Sequence, residues 1–227
     1  WNFFVQVPIW ENEMSLWSHC VKNVQISPHA YDNLGFLKFK QKNYQEALPY
    51  LNKAIKISPF FPKAYNHRGI VFYKLNQFNE AMKDYNLSIR LYLSDKKMLS
   101  RENHLSLSDA YFNRAKLFKH RKEYTRAIND YLLSIKSNPL NSDSFNNLGG
   151  VYLLKKQNQK AVAVFKKAIS LRPTNANFIY NLGYAYQISF KNSKALKYYN
   201  RALSINNKIG QIYANRAIIY FQQKKYK

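Results

Sequence analysis

One set of residues recurs along this chain at a fixed interval. Phe145, Leu148, Gly149 and Tyr152 return as Ile179, Leu182, Gly183 and Tyr186, then as Tyr213, Arg216, Ala217 and Tyr220, each set 34 residues after the last. Tyr111, Arg114, Ala115 and Phe118 lie 34 residues before the first of these. Nearer the start, Tyr31, Leu34 and Gly35 precede Tyr65, Arg68, Gly69 and Phe72 by the same 34. Each full unit continues with a second pattern: Ala47/Leu51/Ala54, Ala81/Tyr85/Ser88, Ala127/Tyr131/Ser134, Ala161/Phe165/Ala168 and Ala195/Tyr199/Ala202. A period of this size dictates a stacked array, because one unit cannot bury its own apolar face and neighbours must complete the core.

Within each unit the apolar residues fall at i, i+3 and i+7, which places them on one face of a helix. The small residue at the eighth position (Gly35, Gly69, Ala115, Gly149, Gly183, Ala217) lets a second helix approach closely. The small residues of the second pattern (Ala47, Ala81, Ala127, Ala161, Ala195) are expected to face it. Pro59, Pro139 and Pro173 end three units, since proline cannot continue a helix.

These positions resemble the tetratricopeptide repeat, whose unit reads W-x2-L-G-x2-Y, then A-x3-F, then P. The resemblance covers residues 28–227 and implies an all-α chain, a right-handed α-solenoid of antiparallel helix pairs. It divides the chain into an atypical N-terminal half-repeat or cap over 1–27, repeats 1–2 over 28–93, an insertion over 94–107, and repeats 3–5 with the first helix of a sixth over 108–227. The insertion is marked by the spacing from Gly69 to Ala115, which is 46 rather than 34. It reads as extended helices around a longer connection. In the first 27 residues Trp1, Phe3, Phe4, Trp10 and Trp17 gather, either as a cap or as an aromatic docking segment. The chain opens on Trp1 and stops inside the sixth unit, so it reads as an excerpt of a longer protein.

Composition removes several chemistries. There is one cysteine, Cys20, which rules out an intrachain disulfide framework. The histidines (His19, His29, His67, His104, His120) are scattered and form no HExxH pair. No apolar run approaches the ~18 residues of a membrane span. With 36 Lys and Arg against 12 Asp and Glu, the formal charge is +24, which calls for a polyanionic partner or reflects lysine used as surface filler. No nucleophile–base arrangement, phosphate-cradling glycine loop or metal-ligand spacing stands out. The reading is therefore not an enzyme and no cofactor.

The resemblance also assigns surfaces. First helices line a concave groove, and position 6 of the units is Asn33, His67, Asn113, Asn147, Asn181 and Asn215. A column of carboxamides offers donors and acceptors to a peptide backbone. Leu153, Leu154, Tyr180, Tyr184, Ile188, Ile218 and Phe221 make the later part of the groove apolar. The earlier part is mixed, with Asp32, Lys63, Asn66, Asp109, Lys116 and Lys119. The lysine–asparagine clamp of the chaperone-binding subfamily is not present in any pair of units. The turns between paired helices collect Lys40, Lys42, Lys74, Lys119, Arg121, Lys122, Lys155, Lys156, Lys191, Lys224 and Lys225 into an expected basic edge. The leading reading is a scaffold for other proteins in a multi-subunit complex, with an acidic face such as tubulin's along the edge and a cytoplasmic, cytoskeletal or ciliary setting. Nucleic acid ranks below protein as a partner. The alternatives are a helical-repeat subunit of a ribonucleoprotein and a regulatory domain of a larger enzyme.

Overall fold

A computed structural model describes residues 13–23, 27–94 and 100–225. Among them are twelve α-helices and no strand. In order they are α1 (Glu13–Asn23), α2 (Pro28–Lys40), α3 (Tyr44–Ile57), α4 (Pro62–Lys74), α5 (Phe78–Ser94), α6 (Arg101–His120), α7 (Tyr124–Ser137), α8 (Ser142–Leu154), α9 (Asn158–Leu171), α10 (Ala176–Gln187), α11 (Asn192–Ile205) and α12 (Gly210–Lys225). The chain forms two compact units, Trp1–Ser106 and Leu107–Lys227.

In the first unit α2 pairs with α3 and α4 with α5. In the second, α8 pairs with α9 and α10 with α11. Helix starts follow from the sequence. Ser27 Oγ accepts from the Ala30 N–H at 3.3 Å, and Pro28 and Pro62 occupy the first turns of α2 and α4, where no amide hydrogen is needed. Asn175 caps α10 by accepting from Asn177 and Phe178. Pro59, Pro139 and Pro173 lie in the turns that follow α3, α7 and α9.

The turn inside each pair is a Schellman motif. Lys42, Asn76, Lys122, Lys156 and Phe190 hold φ between 56° and 65°, the left-handed region. The next amide in each case donates back five residues, as in Asn43 N to Lys38 O at 3.0 Å and Gln157 N to Tyr152 O at 2.8 Å. Phe190 is an unusual occupant, since bulky residues rarely take this conformation, and it is 90% exposed.

The contact over each eighth-position glycine is closer than the sequence reading allows. A Cβ on Gly149 would come within 2.6 Å of Phe165 Cε1, and one on Gly69 within 2.6 Å of Tyr85 Cε1. The residue seated over the glycine is thus the large one of the second helix. The expected facing alanine, such as Ala161 or Ala81, is also fully buried but sits one turn earlier. Leu51 over Gly35 and Tyr199 over Gly183 repeat the arrangement.

The extra residues near 94–107 are largely helix. α5 runs for 17 residues against 14 in α3, and α6 for 20 against 13 in α4. Residues 95–99 lie outside the described residues. So do Trp1, Phe3, Phe4 and Trp10 of the expected docking segment, whereas Trp17 is half-buried on α1.

Candidate functional site: the groove of the second unit

Three successive first helices, α6, α8 and α10, carry the same face at the same register. Together they line a cavity of about 420 Å³ within the second unit. Its walls are Lys119, Asn146, Asn147, Gly150, Leu153, Leu154, Asn181, Tyr184 and Ile188, with Phe165 behind. Leu154 and Tyr184 are substantially exposed, at 53% and 39%. Apolar side chains left open in a concavity, with a few fixed polar groups among them, are the usual makeup of a binding site.

The asparagine column has a structural task as well as an open side. Asn181 Nδ2 donates to Asn146 Oδ1 at 2.8 Å, and Asn215 Nδ2 donates to the Tyr180 hydroxyl at 3.2 Å. Both bonds link position 6 of one repeat to position 5 of the repeat before it. In the first unit a histidine and a carboxylate make the same bracket. His67 and Asp32 share a 2.7 Å hydrogen bond that the carboxylate accepts, and Asp32 is 1% exposed. Asn147 Nδ2 instead donates to its own helix at Asp143 O, 2.9 Å away. The Asn147 and Asn181 carbonyl oxygens accept no hydrogen bond from the described residues. Asn113 is buried and Asn33 half-buried.

Of the other expected groove residues, Leu153, Tyr184 and Ile188 line the cavity. Tyr180 stands behind Tyr184, stacked on it and on Tyr199 with ring centres 6.4 and 5.8 Å apart. Burial pushes the Tyr180 hydroxyl above its ordinary range. Ile218 and Phe221 are exposed on α12, at 48% and 71%, and do not line this cavity. Asn146 and Gly150 also line the cavity, at positions 5 and 9 of their unit, which the family resemblance turns toward the groove.

Lys119, which the sequence places both in the groove and on the basic edge, lines the groove cavity. It lies in the groove wall, half-buried, with its ammonium 3.8 Å from where a Cβ on Gly150 would stand. Burial lowers its basicity. The remaining turn residues are exposed: Lys40, Lys42 and Lys74 in the first unit, and Arg121, Lys122, Lys155, Lys156, Lys191 and Lys224 in the second. The Lys225 side chain lies outside the described residues.

The family model described as "TPR repeat" matches residues 35–76 and 151–187, and that described as "Tetratricopeptide repeat" matches 62–95, 108–139 and 176–209. Among solved structures, YrrB, described as a TPR protein with an unusual peptide-binding site, is 16% identical over 92% of this chain and 97% of its own, with a TM-score of 0.60. BtubC from P. vanneervenii is 16% identical over 86% and 90%, with a TM-score of 0.72. A chain of the APC/C hetero-tetramer Cut9-Hcn1 is 19% identical over 94% of this chain and 40% of its own, with a TM-score of 0.74. At these identities the likeness is one of fold. No curated protein matches the sequence.

Proposed function

The chain belongs to the tetratricopeptide-repeat family, and we propose from that premise that it is a non-catalytic interaction module whose second unit takes a segment of a partner protein in its groove. One observation carries the reading: Leu153, Leu154, Tyr184 and Ile188 form an open apolar wall beside carboxamides that have hydrogen-bonding capacity to spare. An extended or helical segment buries its apolar side chains on that wall and meets Asn147 and Asn181 with its backbone. YrrB, a fold neighbour, is described as carrying a peptide-binding site, which is consistent with this use of the scaffold.

A second surface favours an acidic partner. The exposed lysines of the intra-pair turns are held in place by the Schellman geometry, so their charge recurs at the repeat interval within each unit. A tubulin-like acidic face in a cytoskeletal or ciliary setting is one instance of such a partner; it rests on charge alone. No described helix is long and apolar enough to cross a membrane.

The test is selection of peptides from a random 12-residue display library against the protein, at roughly 50 and 200 mM salt. The expected peptides bind with little salt dependence and are lost with Leu153→Asp or Tyr184→Ala. Peptides that bind Leu153→Asp as well as the native protein overturn the reading. So does the case in which only a single-stranded RNA binds, with affinity falling by orders of magnitude over that salt range.

A further inference from the structure

The charge of the second unit is distributed in a way that bears on what the groove accepts. From Ser144 to Lys227 the chain has fifteen Lys and Arg and not one Asp or Glu. The unit's carboxylates are Asp109, Glu123, Asp130 and Asp143. Three of them are already held: Glu123 by Arg126 at 2.6 Å, Asp130 by Arg114 at 2.7 Å and Asp143 by Arg172 at 3.0 Å. None of the four lines the cavity.

Lys119 is the cation in that cavity. Its ammonium forms no ion pair or hydrogen bond with the described residues, although the side chain is half-buried in a cavity wall that also holds Leu153, Leu154, Ile188 and three asparagines. Removing an ammonium from water without supplying an anion is unfavourable, and here it is reflected in a lowered basicity. Gly150 keeps the space beside the ammonium open, since at 3.8 Å even a Cβ would reach it. A free lysine would escape such a place by extending into water. This one is directed at the groove instead.

Resting on the groove reading above, we propose that the segment the groove takes is acidic and apolar together: it sets one carboxylate against Lys119 and an adjoining apolar side chain on Leu153, Leu154, Tyr184 and Ile188. The carboxylate supplies the missing counter-ion, and the acid-free surroundings leave it no competitor within the wall. The apolar contact distinguishes this occupant from a nucleic acid, whose phosphates would be served better by the exposed turn lysines. It also sets Lys119 apart from those lysines: their charge attracts at a distance, whereas Lys119 makes one short contact in a partly dry site, where charge-assisted bonds are strongest.

The test uses selected peptides that contain Asp or Glu, each paired with its Asn or Gln counterpart. Native protein should favour the acid by about tenfold, as expected of a single hydrogen bond to a charged group. Lys119→Met should erase that preference while still binding the amide peptide, and Lys155→Met, on an exposed turn, should leave the preference intact. A preference unchanged in Lys119→Met, or lost in Lys155→Met, overturns the assignment of Lys119. Selected peptides that bind through the groove but lack acids overturn the acidic segment and leave the groove reading standing. Binding unaffected by Leu153→Asp overturns both.

Discussion

Arg114 holds Asp130 through two parallel hydrogen bonds, Nε to Oδ2 at 2.7 Å and Nη2 to Oδ1 at 2.9 Å. Sixteen residues separate them, one on each helix of a pair. Arg68 and Asp84 form the same fork at 2.8 and 2.8 Å, where burial pushes the Asp84 carboxyl up despite its guanidinium partner. Other pairs fill these two positions with Leu148 and Val164, or Leu182 and Tyr198, which pack in the core clusters. The scaffold thus accepts either an ion pair or an apolar pair, and a mixture leaves a charge stranded.

Arg114→Leu should therefore destabilise the protein by about 3–5 kcal/mol, because it leaves the 2%-exposed Asp130 side chain uncompensated. Adding Asp130→Val should restore stability to within roughly 1 kcal/mol of the native protein, since the double change reproduces the Leu148 and Val164 combination. Urea unfolding of the four proteins measures the coupling. A double variant no more stable than Arg114→Leu would contradict this account.

The glycine contacts give a graded expectation. Ala115 occupies the eighth position under the buried Tyr131, so a single Cβ is accommodated there when the ring shifts slightly. Gly149→Ala should then stay within about 1 kcal/mol of native, with the helix-propensity gain offsetting the 2.6 Å approach to Phe165. Gly149→Leu has no such escape and should cost roughly 1–3 kcal/mol. Melting temperatures of the two variants check the grading, and equal values would show that Phe165 does not pack as described.

Stability should fall at alkaline pH for a definable reason. Burial holds the Tyr85 hydroxyl well above its ordinary 10.0, and Tyr199 likewise. The folded state keeps these protons where the unfolded chain releases them. Their contribution is present in full below pH 10 and is lost as pH rises beyond it. Tyr85→Phe keeps the ring over Gly69 and removes one titrating group, so its melting temperature should decline less steeply between about pH 9 and 11.5. A slope identical to the native one would place the alkaline transition elsewhere.

The period, the helix pairs and the small eighth position were legible in the sequence because the array repeats them in register. What lies over Gly149 was not, since periodicity ranks Ala161 and Phe165 equally until the helix crossing is known. The groove was half legible. Leu153, Tyr184 and Ile188 could be placed by register, but the column of asparagines also brackets neighbouring repeats, a role that depends on distances such as the 2.8 Å from Asn181 to Asn146. Lys119 was placed both in the groove and on the basic edge, because it stands at a groove-facing position of α6 and also just before the turn that follows. The Arg114–Asp130 pair was hidden because two charged residues sixteen apart carry no mark of belonging together.

The most direct test of the account is the map of backbone amide shifts produced when a library-selected peptide is added to the isotopically labelled protein. The account predicts shifts concentrated at Asn146, Asn147, Gly150, Leu153, Asn181, Tyr184 and Ile188, with the turn residues Lys155, Lys156 and Lys191 undisturbed. Shifts confined to those turns, with the groove amides unmoved, would contradict it.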